Sequence, residues 1–452
     1  MSDSETFVVE ITFHRGSNLP VADLNTLSCD PYIHATVWVP SEPEHEHPLA
    51  WRTPTVRRTR NPTWDCKWRI AGVPRSGFHL TLRVRDEDPG DRDDRLGKSY
   101  IDMTQGQMKE GFEQNEFEVK VMKRKGSFRP YIQTYLTAIL PGSKLVLHPR
   151  IVLSVRVIAK SPKGRVGRAY TVGPNKFSEH FSPMIGRMVK GGTVGQGTDG
   201  SAKLSMSTFV AHKFQLSGPV PPTLKHEYVG YAPFIKSMFS NKGIRGHVLN
   251  HGLHKQYRII YSYDKNTVYG VVPGTTEAVL DEEKEKSVRQ EMAEQFLRMT
   301  CYGEEGRIFT YVITLDAEWR FTETGKEFAV DLLSKHSMHA DVAKEIAFSG
   351  EFFVQKIRDV ESGGERDTDP RSYELVIDND SGTYRPKKDL LPTLQDWLSG
   401  DGGLGGLGKV TAMDGFDEHL KQMKEEKRNL KARLKAEKAG RRTDRQSESA
   451  SS

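Results

Sequence analysis

At 452 residues the chain is too long for one ordinary hydrophobic core, so two or three domains are expected. Its apolar fraction of 36% and charged fraction of 28% suit a folded protein with long polar loops. No run approaches the ~18 apolar residues of a spanning helix, and the acidic start (Asp3, Glu5) is unlike a signal peptide, so a cytoplasmic protein is expected. Cys29, Cys66 and Cys301 lie far apart with no CxxC spacing, which excludes a disulfide framework and a zinc knuckle. Of the net charge of +6, residues 418–442 carry ten Lys and Arg against four Glu, so the basicity is local to the tail.

In chain order, residues 6–160 read as an all-β sandwich. Segments 7–13, 32–39, 64–70, 79–85 and 151–157 are short, rich in β-branched and aromatic residues, and separated by turn clusters. Behind a Lys-rich break at 123–126, residues 131–140 suit helix and strand equally. Residues 160–167 have a linker composition, and 191–200 are Gly- and Thr-rich. Segments 221–239 and 244–257 pattern as helices and 258–262 and 267–272 as strands, giving a mainly helical α+β region over 168–300.

An α+β domain is expected over 301–415. Residues 308–316 and 319–323 alternate like a hairpin, and 325–334 turns helical. Strand 351–357, an acidic loop 361–370, strand 373–378, helix 388–398, a Gly-rich loop and strand 409–413 follow, so a βαβ-like element closes the domain. Residues 416–440 read as a basic amphipathic helix and 441–452 as a disordered tail. The predicted fold class is therefore α+β multidomain: an antiparallel β-sandwich, a mixed α+β region and a charged C-terminal helix.

Two clusters of carboxylates stand out. The first holds Asp23 and Asp30 in "NLPVAD…SCDPY"; the second holds Asp86, Asp88 and Asp94 in "RVRDEDPGDRDDRLGKSY". Crowded aspartates repel one another unless a cation joins them, and calcium takes about six to eight oxygens from flexible loops.

With "NLP" entering one loop, "DPY" leaving it, "RTRNPTWD" before a strand and the Asp-rich third loop, residues 6–160 resemble C2 domains. The resemblance implies Ca2+ as cofactor, with Asp23 and Asp30 as first-loop ligands and Asp86, Asp88 and Asp94 as third-loop ligands. It also implies that phosphate oxygens of an anionic phospholipid membrane complete the coordination, so that binding acts as an electrostatic switch. The third-loop tip (Pro89, Gly90, Asp91, Arg92) is polar, whereas Leu24 and Leu27 are placed to insert from loop one. Arg52, Arg57 and Arg58, with Arg60, form a candidate lipid-reading patch. The phrases "HFSP", "QLSGPVP", "AFSGEFFV" and "IDNDSGTYRP" make the whole chain similar to C2-domain proteins of filamentous fungi.

Other signals are weaker. His247, His251 and His254 share one face of an expected helix, but no carboxylate partner is placed. His336, His339 and Asp341 lack a nucleophile and suit a helix cap. Asp378 and Asp380 end a strand, where either a ligand site or an Asx turn needs the same residues. The Gly-rich 400–409 lies between helix and strand, the reverse of a phosphate loop. The seam Leu420, Met423, Leu430 and Leu434, interrupted by Lys427, suits a solvated basic helix, with anionic-membrane contact or helix pairing as the alternatives. No GxSxG elbow, paired-His phosphodiesterase signature or kinase lysine context is present. The expectation is a calcium-dependent peripheral membrane adaptor, with a possible protein partner for the C-terminal region and no nucleic acid. The alternatives are a lipid-acting enzyme delivered by its C2 domain, or a scaffold with vestigial calcium loops.

Overall fold

The computed structural model describes residues 5–40, 48–88, 93–123, 128–139, 146–161, 168–181, 210–224, 248, 251–253, 267–275, 282–324, 338–339, 346–357 and 367–450. The N-terminal part is built from β1 (Thr6–Ser17), β2 (Pro31–Trp38), β3 (Leu49–Arg52), β4 (Thr63–Pro74), β5 (Gly77–Asp86), β6 (Arg95–Thr104), β7 (Glu113–Lys120), helix α1 (Phe128–Ala138) and β8 (Arg150–Lys160). A sheet in the order β3-β2-β5-β6 faces one in the order β7-β8-β1-β4-β9, where β9 is Tyr170–Gly173.

Alternation aims strand β5, whereas β1 is an unbroken buried run from Phe7 to Phe13. In β5, Phe78, Leu80, Leu82 and Val84 are buried while the residues between them are less so. The core centres on Trp68, which stacks on Trp51 at 5.8 Å, and Trp51 stacks on Phe13 at 5.4 Å. All five expected strands are present, four of them longer than their sequence pattern and β2 of the same length but shifted by one residue. The edge strand β7 buries little, so it left almost no hydrophobic trace. The ambiguous segment after the Lys-rich break is helical. Thr134 and Thr137 face inward there and donate their hydroxyls to the carbonyls of Pro130 and Gln133 at 2.7 and 2.8 Å.

The second part is one eight-stranded sheet. Its strands are β10 (Lys176–Phe181), β11 (Val210–Gln215), β12 (Thr267–Val271), β13 (Phe309–Thr314), β14 (Glu318–Glu323), β15 (Ile346–Lys356), β16 (Tyr373–Asp378) and β17 (Lys409–Met413), in the order β12-β10-β11-β14-β13-β15-β16-β17. Helices α2 (Glu282–Met299) and α3 (Leu391–Ser399) cover one face through Met292, Phe296, Leu394 and Trp397. Helix α4 (Glu418–Ala450) covers the other, where Leu420 and Met423 meet Ile308, Phe353 and Val376. Covered on both faces, β15 is an almost unbroken buried run. The pairs in this sheet are antiparallel except β16 and β17, which are parallel and joined through α3, the expected βαβ element.

Several expected boundaries move. The division at 300/301 cuts through this sheet, because β10–β12 pair into it and Phe214 and Leu216 share a core with Phe309 and Phe352. The sandwich does not stop at 160, since β9 pairs with β4. The tail expected to be disordered continues α4 to Ala450, since 441–450 holds helix-compatible Arg, Gln, Glu and Ala with no Pro. Nor is α4 simply solvated: Lys424 is buried and Lys431 pairs with Glu323. The expected elements at 191–200, 258–262 and 325–334, and those at 225–247 and 254–257, lie outside the described residues. No described helix is long and apolar enough to cross a membrane.

Candidate metal centre

The segment Arg58–Asn61 anchors loop one at both ends. Leu19 N donates to Arg60 O at 3.0 Å, Asn18 N to Asn61 Oδ1 at 2.8 Å and Thr59 N to Cys29 O at 2.8 Å, which pins both ends of loop one. Asn61 in "RTRNPTWD" thereby caps the loop's entry. Between these anchors, Ala22 N and Asp23 N both donate to Ser28 O at 3.0 Å, closing a small hairpin. Its tip carries Leu24 and Leu27 at 54% and 44% exposure, where sequence placed them.

The third loop starts at the end of β5. Asp86 N donates to Asp94 O at 2.9 Å, and Asp94 N to Asp88 Oδ2 at 3.2 Å, so the loop closes on its own aspartates. The tip, Pro89 to Arg92, lies outside the described residues. The alternation of strand β5 continues through Asp86, Glu87 and Asp88. The two aspartates point toward loop one, and Glu87 points away into an ion pair with Arg52 at 2.7 Å and another with Arg57.

Carboxylate oxygens of Asp23, Asp86 and Asp88 lie within 4.8 Å of one another. Asp86 is almost fully buried. One of its oxygens accepts from Asp30 N, and the other, Oδ2, is buried with no hydrogen-bond partner. Burial, with Asp88, Asp23 and Asp30 adding like charge, pushes the Asp86 carboxyl up to about 8. Burial and the Asp94 charge push Asp88 up to about 6, and burial with Asp30 and Asp94 raises Asp23. A bare cluster of this kind holds protons; a divalent cation would replace them and satisfy the orphaned Asp86 oxygen.

The other two expected ligands sit at the rim. Asp30 Oδ2 accepts from Arg57 Nη1 at 2.9 Å and its Oδ1 from Arg58 N at 2.6 Å. Asp94 Oδ2 lies 3.9 Å from Arg129 of α1. The charges of both raise the Asp23 pKa, so the five form one electrostatic group although three converge.

The expected arginine patch is largely dismantled. Arg52 turns inward: its guanidinium lies 3.8 Å from the Tyr32 ring centre and donates to Glu87, Thr55 and Tyr269. Arg57 is held between Asp30 and Glu87, while Arg58 is exposed. Arg60 is structural, donating to Leu19 O at 2.5 Å and Val146 O at 2.9 Å. The partnership of Arg52 with Tyr269 spans 217 residues and has no local sequence signal.

Two of the weaker candidates, the Asp378–Asp380 segment and the Gly-rich loop, resolve as structure. Gly382 adopts φ 68°, its N–H donates to Asp380 Oδ1 at 3.0 Å and Asp380 N to Asp378 Oδ1 at 2.8 Å, which is an Asx turn. Asp378 is instead paired with Lys424 of α4 at 2.6 Å. In the Gly-rich loop, Leu404 and Leu407 are core residues, and a Cβ at Gly406 would stand 2.5 Å from Arg289 O. His339 and Met338 are buried and His251 is exposed. His247, His254, His336 and Asp341 lie outside the described residues.

Residues 7–119 match the family model described as the C2 domain. Among solved structures, the chain is similar to a C2 domain of plant extended synaptotagmin 1, with a TM-score of 0.25, at 13% identity over 34% of this chain and 95% of that one. Human GIVD cytosolic phospholipase A2 is matched with a TM-score of 0.25 and 13% identity over 47% of this chain and 26% of the phospholipase. A C2 domain of RIM from Drosophila is matched with a TM-score of 0.18 and 18% identity over 22% of this chain and 86% of that one. No curated protein matches the chain.

Proposed function

We propose that the C2 domain of this chain binds calcium between its first and third loops and thereby docks the protein peripherally on anionic phospholipid. Asp23, Asp86 and Asp88 are the inner ligands, and Asp30 and Asp94 complete the set. The observation that carries this reading is the convergence of three carboxylates on a buried Asp86 oxygen that has no partner. Calcium would neutralise loops that otherwise repel an anionic surface, leaving coordination positions for lipid phosphate oxygens. Arg57 occupies Asp30 in the calcium-free state, so Asp30 must leave this arginine to coordinate.

Co-sedimentation with phosphatidylserine-containing vesicles tests the reading. Binding should require calcium and be lost in Asp86→Asn/Asp88→Asn. Equal binding with chelator present, unchanged by that variant, would sink it.

A further inference from the structure

Helix α1 is oriented the opposite way to an ordinary surface helix. Its inner face carries Pro130, Tyr131, Gln133, Thr134 and Thr137, all buried. Its outer face carries Phe128, Ile132, Tyr135 and Leu136, exposed by 63%, 38%, 58% and 62%, and Ile139, just past its end and bonded through N to Tyr135 O at 3.2 Å, continues it at 79%. At 3.6 residues per turn these five fall within about 100° of arc, a continuous apolar stripe turned to solvent. Stripes of this kind mark interaction surfaces, since burying them inward would be the default.

The helix stands against the calcium loops. Thr134 Oγ1 accepts from Val21 N at 2.7 Å, two residues before Asp23. Arg129, 69% exposed, approaches Asp94, and the Tyr131 hydroxyl lies 3.4 Å from where a Gly97 Cβ would be, just past the third loop. The inner face of α1 therefore holds loop one through Thr134 and packs beside Gly97 of β6 through Tyr131, while the exposed Arg129 faces Asp94 of the third loop. The stripe is also free of acidic residues and flanked by cations: Lys123 Nζ sits 4.7 Å from the Phe128 ring centre, and Arg129 follows. Apolar and aromatic side chains edged by basic ones suit the headgroup boundary of an anionic bilayer.

We propose that the outer face of α1 is a second membrane-contacting element, entering the headgroup region of an anionic bilayer alongside Leu24 and Leu27 of loop one. The proposal rests on the calcium-docking reading for its orientation, because the helix is positioned by the loops that reading assigns. It gives the docked state an apolar component that salt does not screen.

The test uses the full chain and the variant Leu136→Glu/Ile139→Glu, whose positions are exposed enough to leave folding and calcium affinity intact. Partition is measured on phosphatidylcholine vesicles with and without phosphatidylserine, with calcium or chelator, at low and high salt. The expected result is a partition coefficient at least roughly tenfold weaker for the variant, with the high-salt binding of the wild type abolished. Unchanged partition, with calcium dependence still removed by Asp86→Asn/Asp88→Asn, overturns this inference and leaves the calcium reading standing. Weakening by the glutamates of a binding that needs no calcium supports the helix and overturns the calcium switch. No wild-type binding to any vesicle overturns both. A wild-type dimer in sedimentation velocity that the glutamates convert to monomer also overturns the proposal, assigning the stripe to a second copy of the chain.

Discussion

Arg52 Nη1 donates to the Tyr269 hydroxyl at 2.8 Å, tying strand β3 of the sandwich to the edge strand β12 of the large sheet. The same guanidinium reaches Glu87 through Nη2 at 2.7 Å. One cation thus joins the base of the third loop to the second part of the molecule. Lys176 adds a neighbouring link, its ammonium over the Trp51 ring and donating to Arg52 O.

The two ends of this link should differ in cost. Tyr269→Phe removes one half-exposed hydrogen bond and should cost under ~1 kcal/mol. Arg52→Met leaves Glu87 buried with Arg57 alone and should cost about 3 kcal/mol in chemical denaturation. Equal midpoints for the two variants would show that Glu87 does not depend on Arg52.

Arg57 holds Asp30 in an ion pair, so on the proposed reading it competes with calcium for that carboxylate. Arg57→Ala should therefore raise calcium affinity severalfold in isothermal titration, whereas Arg58→Ala, at an exposed position, should leave it little changed and weaken vesicle binding by about 1 kcal/mol. Weaker calcium binding in Arg57→Ala would mean that the arginine positions Asp30 instead of occupying it.

The aspartate cluster fixes a pH dependence. Asp86 and Asp88 have pKa values raised from 3.8 to about 8 and about 6. The folded, calcium-free chain therefore keeps protons that the unfolded chain has already released. The stability this confers is complete below pH 3.8 and is lost as pH rises through about 8. On the proposed reading calcium displaces these protons, so its affinity should climb between about pH 6 and 8 and flatten above. A calcium affinity independent of pH over that window would contradict the assignment.

Helix α4 is fastened by a buried ion triad: Lys424 Nζ lies 2.7 Å from Glu351 and 2.6 Å from Asp378. Lys424→Met strands two buried carboxylates and should cost about 3–5 kcal/mol, part of which Asp378→Asn recovers. Gly306, at φ 68°, lies under the same helix, and its Cβ would stand 2.2 Å from Lys427 O. Gly306→Ala should accordingly release α4 to proteolysis, and a protease-resistant variant would show that the helix shifts to accommodate it.

The sandwich was legible because alternation in β5 and aromatic density in β1 and β4 are local signals. The carboxylate crowding that brings Asp23, Asp86 and Asp88 together was legible because each acid cluster is a short local segment. Glu87 was readable in principle, since period-two alternation turns it away from its neighbours. What sequence did not carry depends on distant contacts. Arg52 looks like a surface cation until Tyr269 arrives, and α1 looks ambiguous because its inner face is Thr and Gln. The single eight-stranded sheet was hidden for the same reason, since β10–β12 and β13–β17 read separately without their pairing.

Strand β9 has a practical consequence for cutting this molecule apart. Thr171 accepts from the Trp68 indole at 3.1 Å, and Tyr170 packs with Val8 and Ala71. A fragment ending near residue 161 would strip the outer edge of β4 and bare its peptide groups, inviting strand-to-strand aggregation. Extending the fragment through Gly173 retains that cover, at a point three residues before β10 begins.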